Sequence, residues 1–159
     1  MSLFKKSAAY KPFKYPFAFE AYDAMQKLHW LPSEVPLQED VHDWKVKLTP
    51  AEQNLLTQLF RFFTKGDEDI SHGYIDQYLP TFKPTEIRMM LAAFTASEAN
   101  HIHAYSQLID TLGLPEAEYE AFAEFAEMRE KHEYLFADRA ANKDGSKRSK
   151  IERIALDLA

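Results

Sequence analysis

Residues 88–113 read RMMLAAFTASEANHIHAYSQLIDTLG, and the fold turns on how this stretch is phased. Apolar residues at Ile87, Leu91, Phe94, Ile102, Leu108, Ile109 and Leu112 mark one stripe of a long amphipathic helix ending at Gly113, a suitable C-cap. Glu98 follows Phe94 by four residues, His101 follows Glu98 by three, and Tyr105 follows His101 by four. Those offsets share a helix face. Three ionisable side chains therefore lie on the core stripe, where burial is costly unless something pairs with them. His103 falls off the stripe and points elsewhere.

The preceding helix supplies a fourth such residue. Thr49, Pro50 and Glu52 form an N-terminal capping box, and the pattern runs on to about Tyr78, with Pro80 and Pro84 bracketing a turn. Phe60, Phe63, Ile70 and Tyr74 make its stripe, with Asp67 inside it; Glu68 and Asp69 lie off it and read as solvated. Helices joined by so short a turn lie antiparallel. With the turn centred near Lys83, Asp67 is about 16 residues before it and Glu98 about 15 after, both roughly 23 Å away at 1.5 Å per residue. Asp67, Glu98 and His101 can then converge between the helices, as in di-metal proteins built from inward Glu residues and Glu-x-x-His pairs. Carboxylate oxygens with one imidazole suit Fe or Mn.

Each piece alone has a plainer explanation. A single Glu-x-x-His occurs often by chance, an Asp among aromatics can be a hydrogen-bonded core group, and a Tyr on an apolar stripe is ordinarily core. Their joint placement on facing stripes at matched heights is what favours a metal. Tyr105, one helical turn from a ligand, becomes a candidate for one-electron oxidation.

Composition sets the limits. The chain has 159 residues, long enough for one domain with a real core, and 46% hydrophobic residues, which fits a globular class. Only four glycines, with many Leu, Ala, Glu and Lys, favour an all-helical fold. A formal charge of −6 argues against a general nucleic-acid binder. The absence of cysteine excludes disulfides, thiolate metal sites and thiol catalysis within the chain. No apolar run reaches membrane-spanning length and the start lacks a signal-peptide core, so an intracellular, cytoplasmic protein is expected, with no membrane partner.

Before the first strong helix, residues 11–32 are aromatic and Pro-punctuated, with about two helical turns expected from Phe19 to His29. Residues 33–48, SEVPLQEDVHDWKVKL, read as an extended segment over the surface of something larger. Lys5, Lys6, Lys11 and Lys14 precede the first acid, Glu20, and suggest a mobile, solvated terminus. The expected organisation is an arm and wrapping segment over 1–48, then a partial helical bundle over 49–159. A third helix is expected over 116–142, a polar break at 142–149, and a fourth helical pattern, KIERIALDLA, at 150–159 that stops without a cap.

The stretches FRFFTKGDEDI (60–70), IRMMLAAFTASEANHIHAYSQLIDTLGLPE (87–116) and MREKHEY (128–134) resemble the small, radical-generating subunit of class I ribonucleotide reductase, over nearly the whole chain from Tyr15. The resemblance implies an all-α, ferritin-like bundle. It implies that Asp67, Glu98 and His101 ligate one metal of a dinuclear Fe or Mn centre, and that Tyr105 is oxidised to a stable radical. Trp30, in HWLPSEV, matches the tryptophan that relays an electron between this site and the large subunit, whereas Trp44 has no such match and reads as packing. A phenylalanine in place of Tyr105 would imply a different, metal-centred oxidant. With no cysteine, the chain does not itself carry the ribonucleotide chemistry.

One part of the family pattern has no counterpart. The second half-site needs a glutamate and another Glu-x-x-His, but Arg129 precedes His132 by three, Asp69 precedes His72, and Gln26 precedes His29. The tail that docks the large subunit is likewise unmatched. The sequence thus reads as the N-terminal half of a small subunit. Three functions follow as alternatives: a radical-generating unit completed by a companion chain, a metal-binding homodimer in which a second copy supplies the other half-site, or a metal-free helical fragment acting only through open apolar faces.

Overall fold

The computed structural model describes residues 2–115 without a break and, beyond them, residues 117, 121, 125–127, 129, 130, 133, 146, 148, 149, 151, 152 and 154. Among the described residues there is no strand. The third helix expected over 116–142 lies mostly outside them. The described positions 151, 152 and 154 are helical, in line with a fourth helix from 150, and 148 and 149 are helical too, inside the stretch expected as a polar break.

Helix α1 spans Pro16–Lys27. Pro16 at its first turn presets the helical φ where no amide donor is needed, so the helix starts earlier than Phe19. Residues 33–48 correct the expectation of an extended segment. They form a 3-10 turn at Pro32–Glu34, a short helix α2 at Gln38–His42, and a π-helical turn at Asp43–Lys47. Proline opens a helical turn as readily as it sits in extended chain, and Glu39 and Asp40 in the first turn of α2 favour its N-terminal end. Trp44 packs on Phe60 at 6.2 Å, and its carbonyl accepts from the Gln53 side chain at 2.6 Å.

Helix α3 spans Pro50–Gly73 and opens on the capping box. The Thr49 hydroxyl accepts from the Glu52 amide, while the Glu52 carboxylate accepts from the Thr49 amide at 2.8 Å. A π-helical turn at Tyr74–Tyr78 and one further turn, α4 (Leu79–Thr81), carry the chain to the bend. Helix α5 spans Thr85–Leu112 and ends on Gly113, whose φ of 73° is a left-handed cap that glycine adopts without a Cβ penalty.

The packing pairs give the topology. Tyr74 meets Phe94, Asp67 meets His101, and Phe63 stacks on Tyr105, so position rises along α5 as it falls along α3. The two helices are antiparallel. Along the other flank, Tyr15 meets Glu86 and Trp30 meets His101, rising together, so α1 and its flanks run parallel to α5. The core sits near the bend, where Ala18, Tyr78, Ile87 and Leu91 are buried against Leu3, Tyr15, Phe82 and Ile154.

Two further expectations are corrected. The N-terminal arm is docked, not loose. Leu3 accepts from the Lys83 amide at 2.9 Å, Phe4 lies on Phe82, and Glu86 receives the amides of Lys14 and Tyr15. The lysine side chains stay in water while the backbone and aromatics between them are anchored, which charge patterning alone does not reveal. Asp69 is buried and pairs with Lys65 at 3.1 Å, because α3 covers a second flank at Asp69 and Ser71. The flank expected to be core stays partly open, with Phe63 41% and Ile70 47% exposed.

Candidate metal centre

Near the middle of the helix pair, α3 contributes Asp67 and α5 contributes Glu98 and His101. One ligand atom from each lies within 4.8 Å of the others. His101 Nδ1 is 3.3 Å from Glu98 Oε2 and 3.9 Å from Asp67 Oδ2. The carboxylates are well covered, at 13% and 15% side-chain exposure for Asp67 and Glu98, and His101 is more open at 39%. Helical offsets place the Glu98–His101 pair, and the antiparallel bend brings Asp67 to their level.

The electrostatics are those of two carboxylates close together in a half-buried site. Burial first, then the neighbouring charge of Glu98, push the Asp67 carboxyl above its ordinary value, with His101 acting the other way. Burial and then Asp67 raise the Tyr105 phenol, and burial and then Glu98 raise that of Tyr74. A cation between two carboxylates turns this repulsion into coordination. Two hard oxygen donors and one imidazole nitrogen are a donor set that Fe or Mn accepts, so the residues fit a metal of that class.

Around the trio the structure assembles the other two residues singled out in the sequence. Tyr105 is half-buried and stacks nearly parallel on Phe63, with ring centroids 5.7 Å apart. The Trp30 ring lies 6.4 Å from that of His101, and the Trp30 carbonyl accepts from Asn100 Nδ2 at 2.5 Å. His103 is exposed and takes no part. Sequence reasoning missed Asn100 and placed Tyr74 only on an apolar stripe. The one cue to Asn100 was a poor helix former in the middle of a long helix.

A model of the family described as ribonucleotide reductase, small chain, matches residues 7–157. The chain belongs to that family. Among curated small-chain proteins it is 49% identical, over 85% of its length, to the probable ribonucleoside-diphosphate reductase small subunit 376L of Invertebrate iridescent virus 6. It is 44% identical over 87% to subunit 048L of Invertebrate iridescent virus 3. These alignments span 38% and 37% of the two viral proteins, so the chain covers well under half the length of these small-chain relatives. Among solved small-chain structures, the R2 subunit from Clostridium botulinum superposes with a TM-score of 0.80 at 23% identity, covering 91% of this chain and 46% of that one. The dimanganese(II)-NrdF of Streptococcus sanguinis superposes at 0.73 with 19% identity, covering 92% and 51%. At such identities the two superpositions speak for the fold, the ferritin-like helical one. No helix among the described residues is long and apolar enough to cross a membrane.

Proposed function

We propose that this chain provides one metal half-site and the radical tyrosine of a ribonucleoside-diphosphate reductase small subunit. Asp67, Glu98 and His101 hold one metal of a dinuclear Fe or Mn centre, Tyr105 stores the radical, and Trp30 relays the electron that passes to that radical from a large subunit, where ribonucleotides are reduced. The observation that carries this is the meeting of three ligand atoms from two helices within 4.8 Å, on a chain whose family model covers residues 7–157.

When bound, such a centre supplies one-electron oxidising power. The residues of the chain do the rest. Burial first and the charge of Asp67 second raise the Tyr105 phenol, so the ring keeps its proton until the electron leaves. Phe63 stacks nearly parallel on the ring and sets an apolar neighbour against it. Trp30 faces the imidazole of His101, so a hole can pass between the ligand and the relay without a large gap.

The second half-site comes from outside residues 1–159 or from a second copy. Leu55, Leu59, Phe63 and Ile70 form an exposed apolar stripe on α3 that runs past Asp67, and His101 is open on the same cluster. That open flank suits a companion helix pair carrying the remaining ligands.

The test is metal binding and electron paramagnetic resonance on the chain alone and mixed with the C-terminal half of a small-chain relative. Mn(II) should bind to the parent, and Glu98→Gln or His101→Ala should weaken it by at least about tenfold, since losing a ligand costs no less than losing an outer-shell partner. A tyrosyl signal should need the companion half and vanish in Tyr105→Phe. A demonstrably formed complex with neither bound metal nor radical refutes the proposal. Metal-dependent dimerisation of the chain alone would favour two half-sites from two copies. No metal response in any combination would favour a metal-free helical unit.

A further inference from the structure

Asn100 occupies the middle of α5, between the two ligands supplied by that helix. Asparagine is a weak helix former because its amide competes for backbone groups, so its presence there calls for a compensating interaction. The structure supplies one 70 residues away in sequence: Asn100 Nδ2 donates to the carbonyl of Trp30 at 2.5 Å. Only the amide nitrogen can donate to a carbonyl, which fixes the orientation of the side chain. Trp30 lies outside regular structure, between the end of α1 at Lys27 and the turn at Pro32–Glu34. Its carbonyl has no ladder to join and must find a partner elsewhere.

Two adjacent residues of α5 therefore grip the same loop residue. Asn100 holds the Trp30 main chain, and His101 faces its ring at 6.4 Å with the planes 30° apart. A ring on a loop, touching only another ring, would be free to swing. A main-chain tether one residue from the imidazole removes that freedom at its base.

We propose that Asn100 is a positioning residue that sets the separation between Trp30 and His101. It rests on the roles given above to Trp30 and His101. Electron transfer falls steeply with separation, so the amide controls how well the relay couples to the metal half-site while touching neither metal nor substrate.

The experiment uses the full chain in a Trp44→Phe background, which leaves Trp30 as the only one of the two tryptophans and so the only indole emitter. Asn100→Leu keeps the size, removes the donor and improves helix propensity, so the fold is retained; circular dichroism checks it. Losing the hydrogen bond should shift the docked population of Trp30 by about two- to tenfold. In the metal-free chain this appears as a raised acrylamide quenching constant, by no more than the factor of the population shift. With Mn(II) or Co(II) added, quenching of Trp30 by the metal should fall in Asn100→Leu, while the metal dissociation constant stays within about threefold, because no ligand has been touched. Asn100→Ala should behave as Asn100→Leu does. Unchanged acrylamide quenching in both folded variants overturns the proposal. If the parent binds no metal, the metal assignment fails, and the metal-free measurement still decides the role of Asn100.

Discussion

Glu86 offers the sharpest test of how the arm is held. It is 2% exposed, and its Oε1 accepts from the amides of Lys14 at 2.7 Å and Tyr15 at 2.9 Å. It also sits in the first turn of α5, where a carboxylate is favoured by the helix dipole. Hydrogen bonds to a charged acceptor are worth about 1.5–3 kcal/mol each, so Glu86→Ala should cost about 2–4 kcal/mol once partial rehydration of the two amides is allowed for. That is a large part of a net stability of order 5–15 kcal/mol. Glu86→Gln retains a neutral acceptor and should cost about half as much. The assay is urea denaturation followed by circular dichroism, with the midpoint falling at an unchanged slope. Trypsin cleavage after Lys14 should quicken in parallel as the arm detaches.

The same residue fixes a pH dependence. Burial alone would raise the Glu86 carboxyl, but the amides of Glu86, Tyr15 and Lys14, with the Lys14 charge, outweigh it and hold the group below its ordinary value of 4.5. A depressed folded-state value means that the unfolded chain binds the proton first. The contribution of Glu86 is therefore complete above 4.5 and is lost as pH falls through its lower folded value. Parent stability should decline on acidification through that window, and Glu86→Gln should decline less. If both variants match the parent within about 0.5 kcal/mol, the typical scatter of a neutral surface change, the clamp does not hold the arm.

Two smaller perturbations test the helix ends. Gly113→Ala forces a Cβ into the left-handed region at φ 73°, with open space around it, so the expected loss of about 1–2 kcal/mol is purely conformational and should show as a lowered thermal midpoint. Thr49→Ala removes the N-cap of α3 and should cost about 1 kcal/mol, read from the same denaturation midpoints, with the Mn(II) response of the parent unchanged.

Local rules in the sequence settled more of the site than of its surroundings. Helical offsets put Glu98, His101 and Tyr105 on one face, the capping box and Gly113 bounded the helices, and equal distances from the bend brought Asp67 to the same height. These depend only on helix rise, periodicity and a short connection, which any sequence states openly. Tertiary contact decided what residues far apart in the chain do to each other. It docked the arm on Glu86, wound 32–47 into short turns against the bundle, buried Asp69, and tied Trp30 to Asn100. For the arm and for Trp30 the deciding contact joins polar groups about 70 residues apart in the chain, and no periodicity records where such a partner lies.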